Sequence, residues 1–324
     1  MVRRTRNGPI FSSSDNLANM KPMSSTPSKS NIVMSLRLSN FHEKEPETSV
    51  AGMFDLMLST NTTEFRAACG KLMLVHISFV YADVSGNIGI QTAGRVPIRK
   101  FPGNYPVNGW NSDFSWKGFI PVEELPYSIN PEKGYLINCN NIYAEDGYKW
   151  YNSIGIEYKN GRCERADEVI TEKIKSGHKF TLDDMNKMQL DTVDVPTRQM
   201  LPKMLKLTRI NEKTYPLLSM MEKWDADYRQ DSRTPHVFAL WHSKVLSRIL
   251  ADELNDDELN SQLTNSFVYR QFLHKILTDE KSDDHLYCDD IRTEHKESCA
   301  DLLTATLEEV EQTNASSVKW GDVH

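Results

Sequence analysis

The side chains best suited to chemistry in this chain lie in three segments between residues 81 and 141. The segments are Tyr81-Ala-Asp-Val-Ser-Gly-Asn-Ile-Gly89, Gly94-Arg-Val-Pro-Ile-Arg99 and Asn130-Pro-Glu-Lys-Gly-Tyr-Leu-Ile-Asn-Cys-Asn-Asn141. The third segment contains Asn140, whose neutral side-chain amide can donate a hydrogen bond to developing negative charge without an ionisation to tune. By residue type and setting alone, however, Asn140 is typical of a turn.

The other polar residues of the first two segments fit structural roles. Asp83 and Asn87 bracket a turn between two apolar runs, and Gly86 and Asn87 tolerate the positive φ that a tight hairpin turn demands. The two arginines of the second segment could pair with acidic side chains under the loops or line a substrate path. We favour the structural role for both arginines.

A second group of reactive side chains lies near the end of the chain. His285 precedes Cys288 by three residues, and His295 precedes Cys299 by four. These types and spacings could bind zinc, but two cysteines eleven residues apart before a helix could equally form a disulfide or remain free thiols. The chain has no glycine-rich phosphate loop, no suitably spaced carboxylate pair and no Ser/His/Asp signature.

The composition is that of a globular protein, with 324 residues, 39% hydrophobic and 26% charged. A net charge of −7 argues against nucleic-acid and anionic-membrane partners, which require a basic surface. No signal peptide is recognisable, because serine, asparagine and proline follow the basic start where an apolar segment would be needed. The most apolar stretch, residues 72–82, is far too short to span a bilayer.

The order of patterns along the chain predicts three regions. Residues 1–35 are rich in Ser, Asn, Pro and Lys and suggest a loose arm, with a possible strand at 4–10. Residues 36–160 are predicted to be β-rich and loop-rich. Residues 161–324 have helical periodicity and are predicted to form a mainly helical lobe.

Individual elements are predicted from period and capping signals. The predicted strands cover residues 32–38, 74–82 and 88–92. The predicted helices cover residues 50–59, 63–68 (capped by Thr62 or Thr63), 182–190 (with a Thr181 cap), 197–207, 213–224, 236–254, 262–277 and 298–312.

Taken together in this order, the three segments resemble the penicillin amidase (penicillin acylase) family of N-terminal-nucleophile amidohydrolases. Trp116-Lys-Gly-Phe-Ile-Pro-Val-Glu-Glu-Leu-Pro126, between the second and third segments, adds to the resemblance. The terminal Lys319-Trp-Gly-Asp-Val-His324 resembles a later landmark of the family. The fold that this resemblance implies is α+β: part of an αββα sandwich of antiparallel sheets, with an α-helical lobe in the second half of the chain.

The resemblance also implies an activity, the hydrolysis of the acyl–amide bond of penicillin-like, N-acyl homoserine lactone-like or related small N-acyl substrates. In the family an N-terminal serine attacks the amide carbonyl and forms an acyl-enzyme, while a backbone N–H and an asparagine amide stabilise the oxyanion. The asparagine position matches Asn140. An arginine that steadies this asparagine and the nucleophile's amine matches Arg165. Both are therefore expected catalytic residues.

The family's serine is not found in this sequence, which resembles an internal part of the larger, catalytic subunit. We expect upstream segments of the same precursor to be partners of this chain. An alternative is a non-catalytic remnant or gene-model fragment that acts as a structural or binding protein.

Cofactors and localisation are less constrained by the resemblance. Several family members hold calcium, but its ligands are not identified in this chain, since Glu145 and Asp146 lie early for the expected carboxylate. No other cofactor is expected. The family is commonly exported, and the sequence itself leaves the compartment open.

Overall fold

A computed structural model of the chain describes residues 4–11, 34–39, 47–73, 76–101, 103, 105–141, 143–144, 147–154, 161–254, 272–277 and 287–324. The chain divides into two compact units, Met1–Tyr158 and Lys159–His324, called unit 1 and unit 2 below. Most of the predicted N-terminal arm, residues 12–33, lies outside the described residues. The three-part division of the chain therefore stays a prediction.

The described part of unit 1 contains two antiparallel sheets, with strand orders β1-β2-β3 and β4-β5-β6. The strands are β1 (Arg4–Thr5), β2 (Gly8–Phe11), β3 (Met34–Ser35), β4 (Ile77–Ala82), β5 (Ile88–Ala93) and β6 (Tyr127–Ile129). The helices of unit 1 are α1 (Ser49–Leu58) and α2 (Thr62–Cys69).

Two strand predictions near the N-terminus are wrong in detail. Residues 4–10 form a hairpin rather than one strand, because the Thr5 hydroxyl accepts a hydrogen bond from the Asn7 N–H (3.0 Å) and Gly8 adopts a φ of 121°. Of the strand predicted at 32–38, residues 32 and 33 lie outside the described residues, Met34 and Ser35 pair with β2, and the strand ends at Ser35.

The predicted hairpin is formed by β4 and β5, which pair from Ile77↔Ala93 to Ala82↔Ile88. At its turn, the Asp83 Oδ1 atom accepts hydrogen bonds from the backbone N–H groups of Ser85 and Asn87, both at 2.9 Å. Gly86 has a φ of 89°, as the turn prediction required. The turn chemistry read from the sequence therefore fixes the register of the hairpin.

The cap of α2 differs from the prediction by one residue. The Asn61 Oδ1 atom accepts the hydrogen bond from the Glu64 N–H (3.0 Å), so Asn61 is the N-cap rather than Thr62 or Thr63. The Glu64 carboxylate in turn accepts a hydrogen bond from the Thr60 N–H (2.9 Å). Asparagine is among the preferred N-cap residues, which explains the shift.

Unit 2 is helical over most of its described residues. Its helices are α3 (Arg162–Lys175), α4 (Leu182–Gln189), α5 (Val195–Leu207), α6 (Tyr215–Glu222), α7 (Thr234–Leu250) and α8 (Cys299–Glu311), and residues 272–277 are also helical. Thr181 and Asp184 form a capping box at the start of α4, as predicted, and Ser298 and Asp301 form another at the start of α8. Each capping box satisfies backbone N–H groups that the first helical turn leaves without partners.

The core of unit 2 is centred on α7 and α8. Trp241 of α7 is completely buried, and its indole N–H lies 3.1 Å from the Leu303 carbonyl oxygen and 3.2 Å from the Thr306 hydroxyl. Phe238, one turn earlier on α7, is also buried. Helix packing in this unit thus combines apolar burial with a satisfied indole donor. Among the described residues, no helix is both long and apolar enough to cross a bilayer.

We expect Trp241→Ala to lower the free energy of unfolding of unit 2 by about 3–5 kcal/mol, because it leaves a cavity and removes a buried hydrogen bond. Urea unfolding followed by far-UV circular dichroism measures the change. Ile210→Ala is the control, since Ile210 is 73% exposed and its truncation should change the free energy by less than about 0.5 kcal/mol. Equal effects of the two substitutions would contradict this account of the core.

Candidate functional site

The first and third sequence segments are joined by a chain of side-chain hydrogen bonds. The Asn87 side-chain amide donates to the Asp83 carboxylate (2.7 Å), and the Asn130 amide donates to the Asn87 Oδ1 atom (2.9 Å). Asn130 is also bonded to the backbone of Ile88, through its Oδ1 atom (3.0 Å) and its own N–H (2.9 Å). The residues that carried the family resemblance therefore attach the loop after Asn130 to the hairpin turn.

These bonds also stabilise the ionised form of Asp83. Hydrogen bonds from Asn87, from its side chain first and then its backbone, hold the pKa of the Asp83 carboxyl below its ordinary value. Asp83 and Asn87 thus have the structural roles that the sequence predicted for them.

The loop of residues 131–141 ends in a compact turn built by three asparagines. Asn140 has a φ of 69°, a left-handed conformation that asparagine adopts more readily than most residues. The Asn140 N–H donates to the Asn138 Oδ1 atom (3.3 Å), and the Cys139 N–H donates to the Asn141 Oδ1 atom (3.1 Å). The Asn138 side-chain amide also donates to the Ser78 carbonyl oxygen of β4 (3.2 Å). The turn that carries Asn140 is thereby attached to a strand.

Asn140 itself is exposed, beside a buried Cys139. Asn140 is thus a solvent-accessible residue on a turn of defined backbone conformation. The role of Asn140 as an oxyanion donor stays a prediction.

Arg165 lies in the first turn of α3 and forms a bidentate ion pair. Its Nε atom is 2.9 Å from the Asp191 Oδ1 atom, and its Nη2 atom is 2.6 Å from the Asp191 Oδ2 atom. Its Nη1 atom lies 3.4 Å from the Glu168 carboxylate. The hydrogen bond to Asp191 is the main cause that raises the pKa of Arg165, and Arg165 in turn lowers the pKa of Asp191.

The two predicted catalytic residues belong to different units, since Asn140 lies in unit 1 and Arg165 in unit 2. Their predicted proximity stays a prediction. Within unit 2, the partners of Arg165 are the acidic residues named above, which sequence spacing did not identify.

The two arginines of the second segment contact protein groups. The Arg99 guanidinium donates to the Ser153 carbonyl oxygen (2.9 Å), and burial lowers its pKa. The Arg95 guanidinium lies over the ring of Phe119, 4.9 Å from its centroid. These contacts agree with the structural role favoured from the sequence.

A cleft in unit 2 was not anticipated from the sequence. It encloses about 620 Å³, and its lining includes Asp191, Tyr228, His242, Ser243, Trp320 and His324. The Trp320 and His324 rings are stacked with centroids 4.5 Å apart, and Tyr228 packs edge-on against Trp320 at 5.3 Å. The lining comes from four separate parts of the chain, which no single motif spacing relates.

The structure describes some of the residues that the sequence suggested as metal ligands. Cys288 and Cys299 form a disulfide, with Cα atoms 4.9 Å apart, which settles these two residues among the alternatives of zinc, disulfide and free thiols. His285 lies outside the described residues, as do Glu145 and Asp146, the carboxylates considered for calcium. Within the described ranges, no group of three or more His, Cys, Asp or Glu side chains is arranged to hold a metal ion.

Comparison with known proteins finds one matching family model and several acylases that are similar to this chain. The model of the penicillin amidase family matches residues 1–324. An acyl-homoserine lactone acylase QuiP of Pseudomonas syringae pv. syringae (strain B728a) is 23% identical over 353 aligned residues, covering 100% of this chain and 40% of that protein. A penicillin acylase 2 proenzyme of Pseudomonas sp. (strain SE83) is 32% identical over 121 residues, which are 37% of this chain and 15% of that protein.

Two penicillin G acylases complete the comparison. The Escherichia coli protein is 37% identical over 92 residues, which are 28% of this chain and 11% of that protein. The solved structure of the thermostable penicillin G acylase from Alcaligenes faecalis matches with a TM-score of 0.66 at 17% identity, covering 98% of this chain and 57% of that one. This likeness, together with the antiparallel sheets and the helical second half, confirms the fold-class prediction.

We expect Asp191→Asn to lower the free energy of unfolding by about 1 kcal/mol at pH 7, because it removes a charge-assisted bidentate pair at a partly exposed site. The folded-state pKa of Asp191 is lowered. The contribution of the pair is therefore complete above about pH 4 and is lost as the pH falls through the folded-state pKa. The difference between wild type and variant should accordingly shrink below about pH 4.

Urea unfolding at pH 7 and at pH 3 measures this difference. Asp183→Asn is the matched control, since Asp183 pairs with Lys187 on the same unit but is 70% exposed. A difference for Asp191→Asn that is the same at both pH values would contradict the ion-pair account.

Proposed function

Because this chain belongs to the penicillin amidase family, we propose that it forms part of an acylase that hydrolyses the amide bond of a small N-acyl substrate. The observation that carries the proposal is the Asn140 turn. In this turn Asn140 is an exposed residue whose backbone is left-handed. The loop that carries it is hydrogen-bonded to the β4–β5 hairpin at both of its ends. The family resemblance assigns the oxyanion donor to this position.

The proposed reaction is an acyl transfer in two steps. The hydroxyl oxygen of an N-terminal serine adds to the amide carbon, and the α-amine of that serine takes the proton. The Asn140 Nδ2–H group donates to the oxyanion of the tetrahedral intermediate. The α-ammonium returns its proton to the leaving nitrogen as the intermediate collapses and the C–N bond breaks, which releases the amine. Water then hydrolyses the ester to release the acid and regenerate the serine.

The serine is proposed to belong to another segment of the same precursor. The chain spans about 40% of the length of the first curated relative. Activity, substrate and the complementary segments are therefore proposals for the assembled protein. By analogy with the names of the relatives, penicillin-like amides and N-acyl homoserine lactones are the substrate classes to test.

Arg165 is proposed to act as a positioning residue in this assembly. Two of its nitrogens are bonded to Asp191, so its guanidinium plane is fixed before any substrate binds. A fixed guanidinium can orient a neighbouring amide or amine through its remaining N–H groups.

The kinetic test uses the native protein isolated from its source cells, with phenylacetyl and long-chain acyl amides and N-acyl homoserine lactones as substrates. We expect Asn140→Ala to lower kcat by about 100- to 1,000-fold with little change in KM, since the lost bond forms only with the oxyanion. Amine release is the readout. Asn108→Ala, at another exposed asparagine of unit 1, is the control and should retain wild-type kcat.

Two outcomes would contradict the proposal. Full turnover by Asn140→Ala would exclude Asn140 as the oxyanion donor while leaving the acylase activity intact. No turnover by the native protein on any of the substrates would favour the non-catalytic alternative.

A separate prediction concerns residues 1–324 purified without any other segment. We expect no amine release, because one oxyanion donor contributes about 3–4 kcal/mol and cannot replace the attacking nucleophile. The assay is the same, with the native protein as positive control. Turnover by the isolated chain that is abolished by Asn140→Ala would show that it contains a nucleophile of its own.

A further inference from the structure

We propose that Asn138 is a positioning residue that sets the direction of the Asn140 side chain. The catalytic consequence of this inference rests on the proposed function above, whereas the conformational consequence does not. Asn138 is not among the residues that the family resemblance assigned to the site.

The side chain of Asn138 connects Asn140 to the sheet. Its Oδ1 atom accepts the hydrogen bond from the Asn140 N–H (3.3 Å), and its Nδ2 atom donates to the Ser78 carbonyl oxygen (3.2 Å). One amide therefore acts as acceptor toward the turn and as donor toward the strand, which an ionised aspartate, an acceptor only, cannot reproduce.

The first of these bonds closes an Asx turn, in which a side-chain oxygen accepts from the backbone two residues later. It favours the turn in which Asn140 has its φ of 69°. Left-handed backbone is more accessible to asparagine than to most residues, and the local hydrogen bond adds to this preference at Asn140. A return of φ to negative values would rotate the Cα–Cβ bond of Asn140 and redirect its amide.

The second bond fixes the turn to a rigid element. Ser78 lies within β4, which pairs with β5 along six residue pairs. The Ser78 hydroxyl also lies 3.2 Å from the Thr92 hydroxyl across the hairpin. A functional side chain held on a strand is placed more accurately than one held by a loop alone.

The other end of the loop is fixed independently of Asn138. Asn130 is bonded to Asn87 and to the backbone of Ile88, as described above. Removal of the Asn138 side chain should therefore release the turn at Asn140 without detaching the whole loop. This separation makes a local effect on Asn140 measurable.

The conformational test compares crystal structures of the wild-type protein, Asn138→Ala and Asn138→Asp. We expect Asn138→Ala to displace the Asn140 amide nitrogen by more than about 1 Å, an error that can reduce catalysis about 100-fold. Asn138→Asp keeps the acceptor for the Asn140 N–H and should retain the positive φ. Asn111→Ala is the matched control, because Asn111 also accepts a backbone N–H two residues later, that of Asp113 (2.9 Å), elsewhere in unit 1.

The kinetic test uses the native protein and the substrates named above. We expect Asn138→Ala to lower kcat by about 10- to 100-fold with KM within twofold, and Asn138→Asp to recover part of the loss. Asn111→Ala should leave both parameters unchanged. A purely structural role would instead lower the unfolding midpoint in both alanine variants and leave kcat per folded molecule unaltered.

An unchanged Asn140 conformation in Asn138→Ala overturns the inference whatever the kinetics show. An equal loss of kcat in Asn111→Ala also overturns it. If Asn140→Ala is fully active, the proposed oxyanion role fails, but the crystal structures still decide whether Asn138 positions Asn140. If Asn138→Ala does not fold, Asn138→Asp decides alone, and an Asn140 amide that keeps its wild-type position in that variant, which lacks the donor to Ser78, overturns the inference.

Discussion

The loop that carries the candidate amide has no regular hydrogen-bonding ladder, and its backbone must be held by side chains. This constraint accounts for the density of asparagines in the third segment. An asparagine amide offers a donor and an acceptor at fixed separation, so it can pair with backbone N–H and C=O groups as another peptide would. The Asn138 side chain does this between Ser78 and Asn140, and the Asn130 Oδ1 atom accepts from the Ile88 N–H. The asparagine side chains thus provide hydrogen bonds that a neighbouring strand would otherwise provide.

The hairpin that supports this loop is itself fixed by features that are local in sequence. Tyr81 lies opposite Gly89, where an added Cβ atom would lie 2.2 Å from the tyrosine hydroxyl, so the ring can occupy this position because residue 89 has no side chain. The central strand β5 is further tied to α2, since the Arg66 Nε atom donates to the buried Gln91 side chain (2.8 Å). Arg66 also stacks over the ring of Tyr127 in β6. Strand, helix and loop are therefore coupled through polar contacts as much as through apolar burial.

Sequence reasoning recovered the features that depend on short-range chemistry. The hairpin turn at Gly86, the capping box of α4 and the helical second half follow from residue types a few positions apart, and the structure contains each of them. It missed features that depend on contacts distant in sequence, such as the Arg165–Asp191 pair and the end of β3 at Ser35. No periodicity identifies which carboxylate an arginine will reach 26 residues later. The family resemblance pointed to Asn140, whereas the hydrogen bond from its N–H to the Asn138 side chain is visible only in the structure.

The ion pair of Arg165 limits what this residue can contribute to an amide hydrolase. Because Asp191 takes two of its nitrogens, the pair is close to electrically neutral, and a neighbouring group meets far less positive charge than a lone guanidinium would present. The other contribution that Arg165 can make is the fixed orientation of its guanidinium group. A guanidinium held in one plane presents its other N–H groups in fixed directions, and this suits the orientation of an amide better than the stabilisation of an oxyanion. On this argument, Arg165 suits the positioning role proposed for it rather than electrostatic stabilisation of a reaction intermediate.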